Sequence, residues 1–206
     1  MHISEGVLSL PALAAGWAVA GLGTAVGLKK LGLAGKGAEP QEPIVRVALL
    51  SSAFFLASLV NIRLGPGSTH LSLLAPMGLI LGWAAFPAIL TALLLQSLLF
   101  HFGGLLVLGV NTANMGVPAL AAYLIFSGPI RRAGGKTAAA LAFLAGALAV
   151  LLGALGVGLF LSLSDRNFLT AAKVVFAAHI PLALVEGFVT AFLVAWLKRA
   201  APEFLL

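Results

Sequence analysis

From Thr137 to Leu163 the chain runs for 27 residues without a charged side chain, built almost wholly from Ala, Leu, Gly, Val and Phe. About 20 such residues cross the ~30 Å hydrocarbon core of a bilayer as a helix. Inside lipid every backbone N–H and C=O must find its partner within the protein, which leaves helices and closed barrels as the spanning structures. The apolar residues here are continuous and do not alternate, so a barrel is excluded. The sequence therefore predicts an all-α, polytopic membrane protein, a single domain over residues 1–206 with little soluble mass. Composition agrees: 61% of residues are apolar and 9% charged, with mean hydropathy +1.13, against about 45–50% and about 25% in soluble domains. No cysteine is present, which removes disulfides and thiolate chemistry.

Segmenting the chain gives about seven spans: Val7 to Leu28, Ile44 to Ile62, Leu71 to Gly82, Trp83 to Phe100, Thr112 to Ile130, Thr137 to Leu163, and Phe168 to Arg199 with a kink expected at Pro181. The third is short for a full crossing. The linker KKLGLAGKGAEPQEP (Lys29 to Pro43) is the one long polar stretch, and its glycines and prolines stop helices. The first residues lack the basic n-region of a cleavable signal.

Orientation follows from charge. With the N-terminus outside, the inner loops and ends carry Lys29, Lys30, Lys36, Arg46, Arg131, Arg132, Lys136, Lys198 and Arg199, and the outer ones only Arg63, Arg166 and Lys173. Nine against three obeys the positive-inside rule and puts the C-terminus in the cytoplasm. The net charge of +6 is thereby accounted for without nucleic acid. Small residues at helix-packing intervals (Gly23 with Gly27; Ala138, Ala142 and Gly146) fit ordinary internal packing or a partner helix.

Four histidines are present: His2, His70, His101 and His179. None forms an H-x-x-x-H or HExxH pair, so any metal site is assembled from distant segments. With a free amine on Met1, the amine nitrogen, the His2 amide nitrogen and His2 Nδ1 close a five-membered and a six-membered chelate ring on one ion. Three nitrogens in a plane suit Ni(II) or Cu(II), and one further imidazole completes the square. A solvated terminal histidine is the alternative. His70, at the end of GPGSTH, is the candidate fourth ligand, with Ser68 and Thr69 placed to cap the next helix or orient the ring. Gln96, His101, Asn111 and Asn114 cluster near the same outer end as groups able to orient imidazoles, or to make interhelical hydrogen bonds. His179 and Glu186, seven apart on one face, fit the latter role, and Met77 and Met115 fit the core.

The MHISEG start resembles the MHI-x-EG start of the CbiM/NikM family, the substrate-specific membrane (S) subunits of nickel and cobalt energy-coupling-factor (ECF) transporters. The stretches NIRLGPGSTHLSLLAPMGLILGWAAFPAIL, LLLQSLLFHFGGLLVLGVNTANMGVPAL and HIPLALVEGFVTAFLVAWLKR are similar to that family in the same order. Where many relatives carry a GTSGH-like loop, this chain has GSTH, one residue shorter. The resemblance implies a seven-helix subunit of a prokaryotic cytoplasmic membrane, its N-terminal residues inserted into the core from outside. It implies Ni2+ or Co2+ as transported substrate, held in a plane by Met1, His2 and His70. It also implies partners: a transmembrane T component, two ATPase subunits and a small accessory membrane subunit. The chain itself has no G-x-x-x-x-G-K-[ST] phosphate loop and is not expected to be an enzyme. Rival expectations are an intramembrane metalloenzyme using His70, His101 and His179, a structural scaffold, and capture of another divalent metal such as copper.

Overall fold

The computed structural model describes residues 2–32, 41–59, 61–64 and 67–205; for 41, 42, 61–64, 67–69 and 166 the description is of the backbone alone. Met1, the Ser68 and Thr69 side chains and most of the Lys29 to Pro43 linker thus lie outside the described residues. Seven α-helices are found among them: α1 (Leu10–Lys30), α2 (Gln41–Leu59), α3 (Leu74–Leu81), α4 (Ala85–Phe100), α5 (Leu108–Arg132), α6 (Gly135–Ser164) and α7 (Leu169–Ala200). Between α2 and α3 the strands β1 (Asn61–Leu64) and β2 (Gly67–His70) form an antiparallel hairpin with Asn61 opposite His70.

Among the described residues five stretches are long and apolar enough to cross a membrane, and α3 and α4 share one of them, Leu74–Phe100, so the expected count of about seven spans is approximate. At ~1.5 Å per residue, α3 covers only about 12 Å, less than half the hydrocarbon core. Gly82, with φ 55° and ψ −125°, breaks the run. Residues Ile80 to Ala84 line one cavity with Lys30 and Pro43, so the break sits where α1 ends and α2 begins. α3 is a half-span that starts inside the bundle and runs to its basic end.

The helix ends follow their chemistry. Lys29 and Lys30 lie in the last turn of α1, and Arg131 and Arg132 in that of α5, against the negative pole of each helix. Lys198 of α7 donates to the Ile130 and Ala133 carbonyls (2.7 and 2.5 Å), which closes the open end of α5. α7 runs as one helix through Pro181, and α5 through Pro118 and Pro129.

Small residues set the helix approaches inside the chain. A Cβ on Gly23 would meet the Phe86 ring, and one on Gly27 the Trp83 carbonyl and Pro87. Ala138, Ala142 and Gly146 are the buried stripe of α6, with Gly146 against the Glu186 backbone of α7. Met77 and Met115 are fully buried in the apolar core with Phe54, Leu74 and Ile89.

Candidate metal centre

Residues 2–9 precede α1 without helical structure and are tied to the end of the bundle where α4 stops and α5 starts. Asn111 clasps the Ile3 backbone: Ile3 N–H donates to Asn111 Oδ1 (2.9 Å), and Asn111 Nδ2 donates to the Ile3 carbonyl (3.0 Å). The Ile3 side chain is buried with Val110, Val157 and Leu161. Glu5 N–H donates to the Gly103 carbonyl (3.1 Å), and Glu5 Oε1 accepts from Leu106 N–H (2.8 Å). Ser9 N–H donates to Ser164 Oγ (3.0 Å). The two glycines of HFGG make room for this. Both have positive φ (76° and 125°), and a Cβ at Gly103 would stand 2.9 Å from Asn111 Nδ2 while one at Gly104 would overlap Glu5.

The clasp delivers His2 to His70. Their ring centroids are 4.9 Å apart, and His2 Nδ1 lies 3.2 Å from His70 Nε2. The His70 ring makes a T-shaped contact with the buried Phe54 ring, and Phe102 stands beside His2. The proton positions follow from the partners of the other two nitrogens. His70 Nδ1 faces the Leu71 carbonyl at 2.9 Å, an acceptor only, so Nδ1 carries the proton and Nε2 a bare lone pair. On the other ring, the Ser58 hydroxyl donates to the Phe55 carbonyl (2.6 Å) and so must accept from Gln96 Nε2 (2.6 Å). This turns Gln96 Oε1 toward His2 Nε2 at 2.8 Å, which makes Nε2 the donor and leaves Nδ1 bare. Two unprotonated nitrogens therefore point at each other across 3.2 Å.

Both rings are held neutral. His2 as a residue is half-buried, but its ring is packed among His70, Gln96 and Phe102. Desolvation first, then the positive amino terminus, lowers its pKa to about 3, against the raising effect of the Gln96 hydrogen bond. His70 is also pulled well below the ordinary imidazole range, by burial first and then by the amino terminus. A cavity of about 230 Å³ adjoins His2, lined otherwise mostly by apolar side chains that include Val157, Leu161 and Val175.

The other sequence candidates separate. Gln96 is in place and orients His2. Asn111 is in place but acts on the Ile3 backbone instead of an imidazole. Asn114 is buried near Gly156, and its amide has no hydrogen-bond partner among the described residues. His101 is a correction: it occupies the left-handed C-cap of α4 (φ 56°) and is exposed, so it orients nothing in the site. Ser68 and Thr69 sit within β2, their side chains outside the described residues, and the residue at the N-cap of α3 is Leu73. His179 is buried on α7, where its Nδ1 donates to the Val175 carbonyl one turn back (2.7 Å). With His101 turned outward, the rival trio of His70, His101 and His179 does not converge. No group of three His, Asp or Glu side chains suited to a metal is found among the described residues. Sequence reasoning missed Ser58, Ile3 and Ser72, whose partners lie 38 to 114 residues away.

Comparison with known proteins places these features in a family. Residues 2–204 match the model described as CbiM, cobalt uptake substrate-specific transmembrane region. A Haemophilus influenzae protein named for metal transport is 36% identical, with 98% of this chain and 96% of the relative covered. A Geobacter sulfurreducens cobalt transport protein CbiM is 32% identical over the whole chain, and a Rhodobacter capsulatus fused nickel transport protein NikMN 31% identical; this chain spans 61% and 64% of their lengths. A crystal structure of a transition metal transporter superposes with TM-score 0.76 at 26% identity, over 97% of this chain and 93% of the other.

Proposed function

Since the chain belongs to the CbiM family of cobalt uptake substrate-specific transmembrane regions, we propose that it is a multi-pass membrane subunit that captures Ni2+ or Co2+ for uptake at His2 and His70. One observation carries this: His2 Nδ1 and His70 Nε2 face each other at 3.2 Å, and the hydrogen-bond partners of the other two ring nitrogens assign a proton to neither. Two lone pairs so placed repel, and a cation coordinated by both removes the conflict. With metal–nitrogen bonds of ~2.0 Å, neighbouring corners of a square plane are about 2.8 Å apart and opposite corners about 4 Å. The observed separation fits neighbours.

That geometry suits the chelate written into the first two residues. The Met1 amine, the His2 amide nitrogen and His2 Nδ1 occupy three corners with the amide in the middle, and His70 Nε2 takes the corner opposite the amide. Planar nitrogen coordination is favoured by Ni(II) and Cu(II), and the relatives are named for cobalt and nickel. Neutral rings at physiological pH leave the site ready for a cation without proton release from the imidazoles. Asn111 and the two HFGG glycines hold the segment that carries His2.

Transport itself requires other subunits. A T component, two ATPase subunits and a small accessory membrane protein, as in ECF importers, would supply energy to a chain that has no phosphate-binding loop. The basic residues at the end opposite His2 support an orientation with that end in the cytoplasm and the capture site outside. The test is a four-residue glycine extension before Met1, long enough that no new terminal amine–amide chelate ends on His2, compared with the unextended protein, both starts verified by mass spectrometry. The extended protein is expected to lose stoichiometric Ni2+ and its visible absorption band. Unchanged affinity and spectrum would remove the N-terminal chelate.

A further inference from the structure

Glu186 lies near the middle of α7, is almost fully buried, and makes no bond to either metal-site histidine. Its Oε1 accepts from the Ser72 backbone N–H and from Ser72 Oγ (2.8 Å), and both of its oxygens accept from Leu73 N–H (3.1 Å each). Ser72 and Leu73 lead into α3, whose start has no side-chain cap of its own. The carboxylate of α7 therefore caps the half-span, where the helix's positive pole favours a negative charge.

The same hydrogen bonds also reach the site. The N–H held by Glu186 belongs to the Leu71–Ser72 peptide. The carbonyl of that peptide, on Leu71, accepts the proton of His70 Nδ1 at 2.9 Å. Carboxylate, peptide and imidazole are thus in series, with His70 Nε2 at the far end facing His2. An amide polarises as a unit: an anion at its N–H makes its oxygen a better acceptor. A better acceptor at Nδ1–H fixes the tautomer and enriches Nε2 as a donor. Metal-bound histidines commonly obtain this from a carboxylate in direct contact; here one peptide stands between the two.

We propose that Glu186 is a positioning residue for the metal site, acting on His70 through the Leu71–Ser72 peptide to keep Nε2 unprotonated and strongly donating. The proposal rests on the metal-capture reading above. It also gives α7 a hold on the ligand loop, so displacement of α7 against α3 would loosen His70 without touching His2.

The test is a double-variant cycle on purified full-length protein, with Ni2+ affinity read by competition against a chelator. The variants are Glu186→Gln, His70→Ala and both together; the nitrogens of Met1 and His2 keep residual binding measurable. Glu186→Gln is expected to weaken Ni2+ binding tenfold to a hundredfold and to shift the visible ligand-field band. In the His70→Ala background it should cost less than twofold, because its effect passes through His70. Losses that multiply, or wild-type affinity for Glu186→Gln beside a weakened His70→Ala, overturn the proposal. Wild-type affinity for His70→Ala instead sinks the metal-capture reading, and with it this one. A second measurement needs no variant: 15N NMR of histidine-labelled, metal-free protein is expected to find the His70 proton on Nδ1. A proton on Nε2 overturns the relay.

Discussion

Replacing Asn111 with alanine removes both hydrogen bonds that hold the Ile3 backbone and should undock His2. Each such bond contributes ~1 kcal/mol net, so their loss costs about 2 kcal/mol if water fills the space. If the Ile3 N–H and carbonyl are left buried without partners, the cost rises to about 4 kcal/mol or more. Ordering residues 2–9 costs about 1 kcal/mol or more per residue, and a few other bonds, the buried Ile3 side chain and the partly buried Val7 and Leu8 oppose it, so docking has little surplus. Apparent metal affinity scales with the docked fraction. At ~1.4 kcal/mol per tenfold, the expected loss is about 30-fold, reaching about 1,000-fold in the unsolvated case. The assay is chelator competition with Ni2+ on protein with its native start, with aminopeptidase trimming as a second reporter of undocking. Asn114→Ala is the comparison: that amide has no partner among the described residues, so its removal should change affinity less than twofold. Wild-type affinity in Asn111→Ala, or equal losses in both variants, would refute the clasp.

Gln96→Leu deletes the acceptor that holds the His2 proton on Nε2 and should weaken Ni2+ binding by ~10- to 100-fold with the helical circular dichroism unchanged; full affinity would mean the tautomer is set elsewhere. The metal-free protein should lose stability, and release residues 2–9, as pH falls from 6.5 toward 3. In that window an undocked His2 binds a proton that docked His2, with its pKa near 3, does not; a melting temperature flat over that range would contradict the assignment. Gly78→Ala puts a Cβ onto the Ala119 backbone carbonyl, which no side-chain rotation relieves. It should lower stability by ~1–3 kcal/mol, measurable as a fall in melting temperature, and a protein as stable as wild type would show that α3 and α5 can separate freely.

The elements legible in the sequence are those decided by local pattern. Thr137 to Leu163 read as a span because no other structure tolerates so long an uncharged run, and α6 covers it. The start of α5 was not legible in this way. The sequence starts the fifth span at Thr112, yet α5 begins at Leu108 and takes in Asn111, which finds its partner on a backbone 108 residues earlier. Gly103 and Gly104 do mark a turn, but the segment they admit comes from the N-terminus. His2 and His70 were identifiable from chelate chemistry and scarcity, and the structure does bring the two together. Their protonation was not, since it depends on Ser58 and on the Leu71 carbonyl, neither of which carries a motif. Glu186 read as an interhelical group beside His179. Its partners are instead the backbone of Ser72 and Leu73 and the Ser72 hydroxyl, more than 110 residues away, which a periodicity within one helix cannot point to.

In the proposed capture site His2 Nδ1 and His70 Nε2 coordinate one transition-metal ion. Crystals of the full-length protein, purified with its native N-terminus and loaded with Ni2+ or Co2+, should give one anomalous peak at the edge of that metal, within ~2 Å of both nitrogens. A peak elsewhere, or none with metal bound in solution, would contradict it.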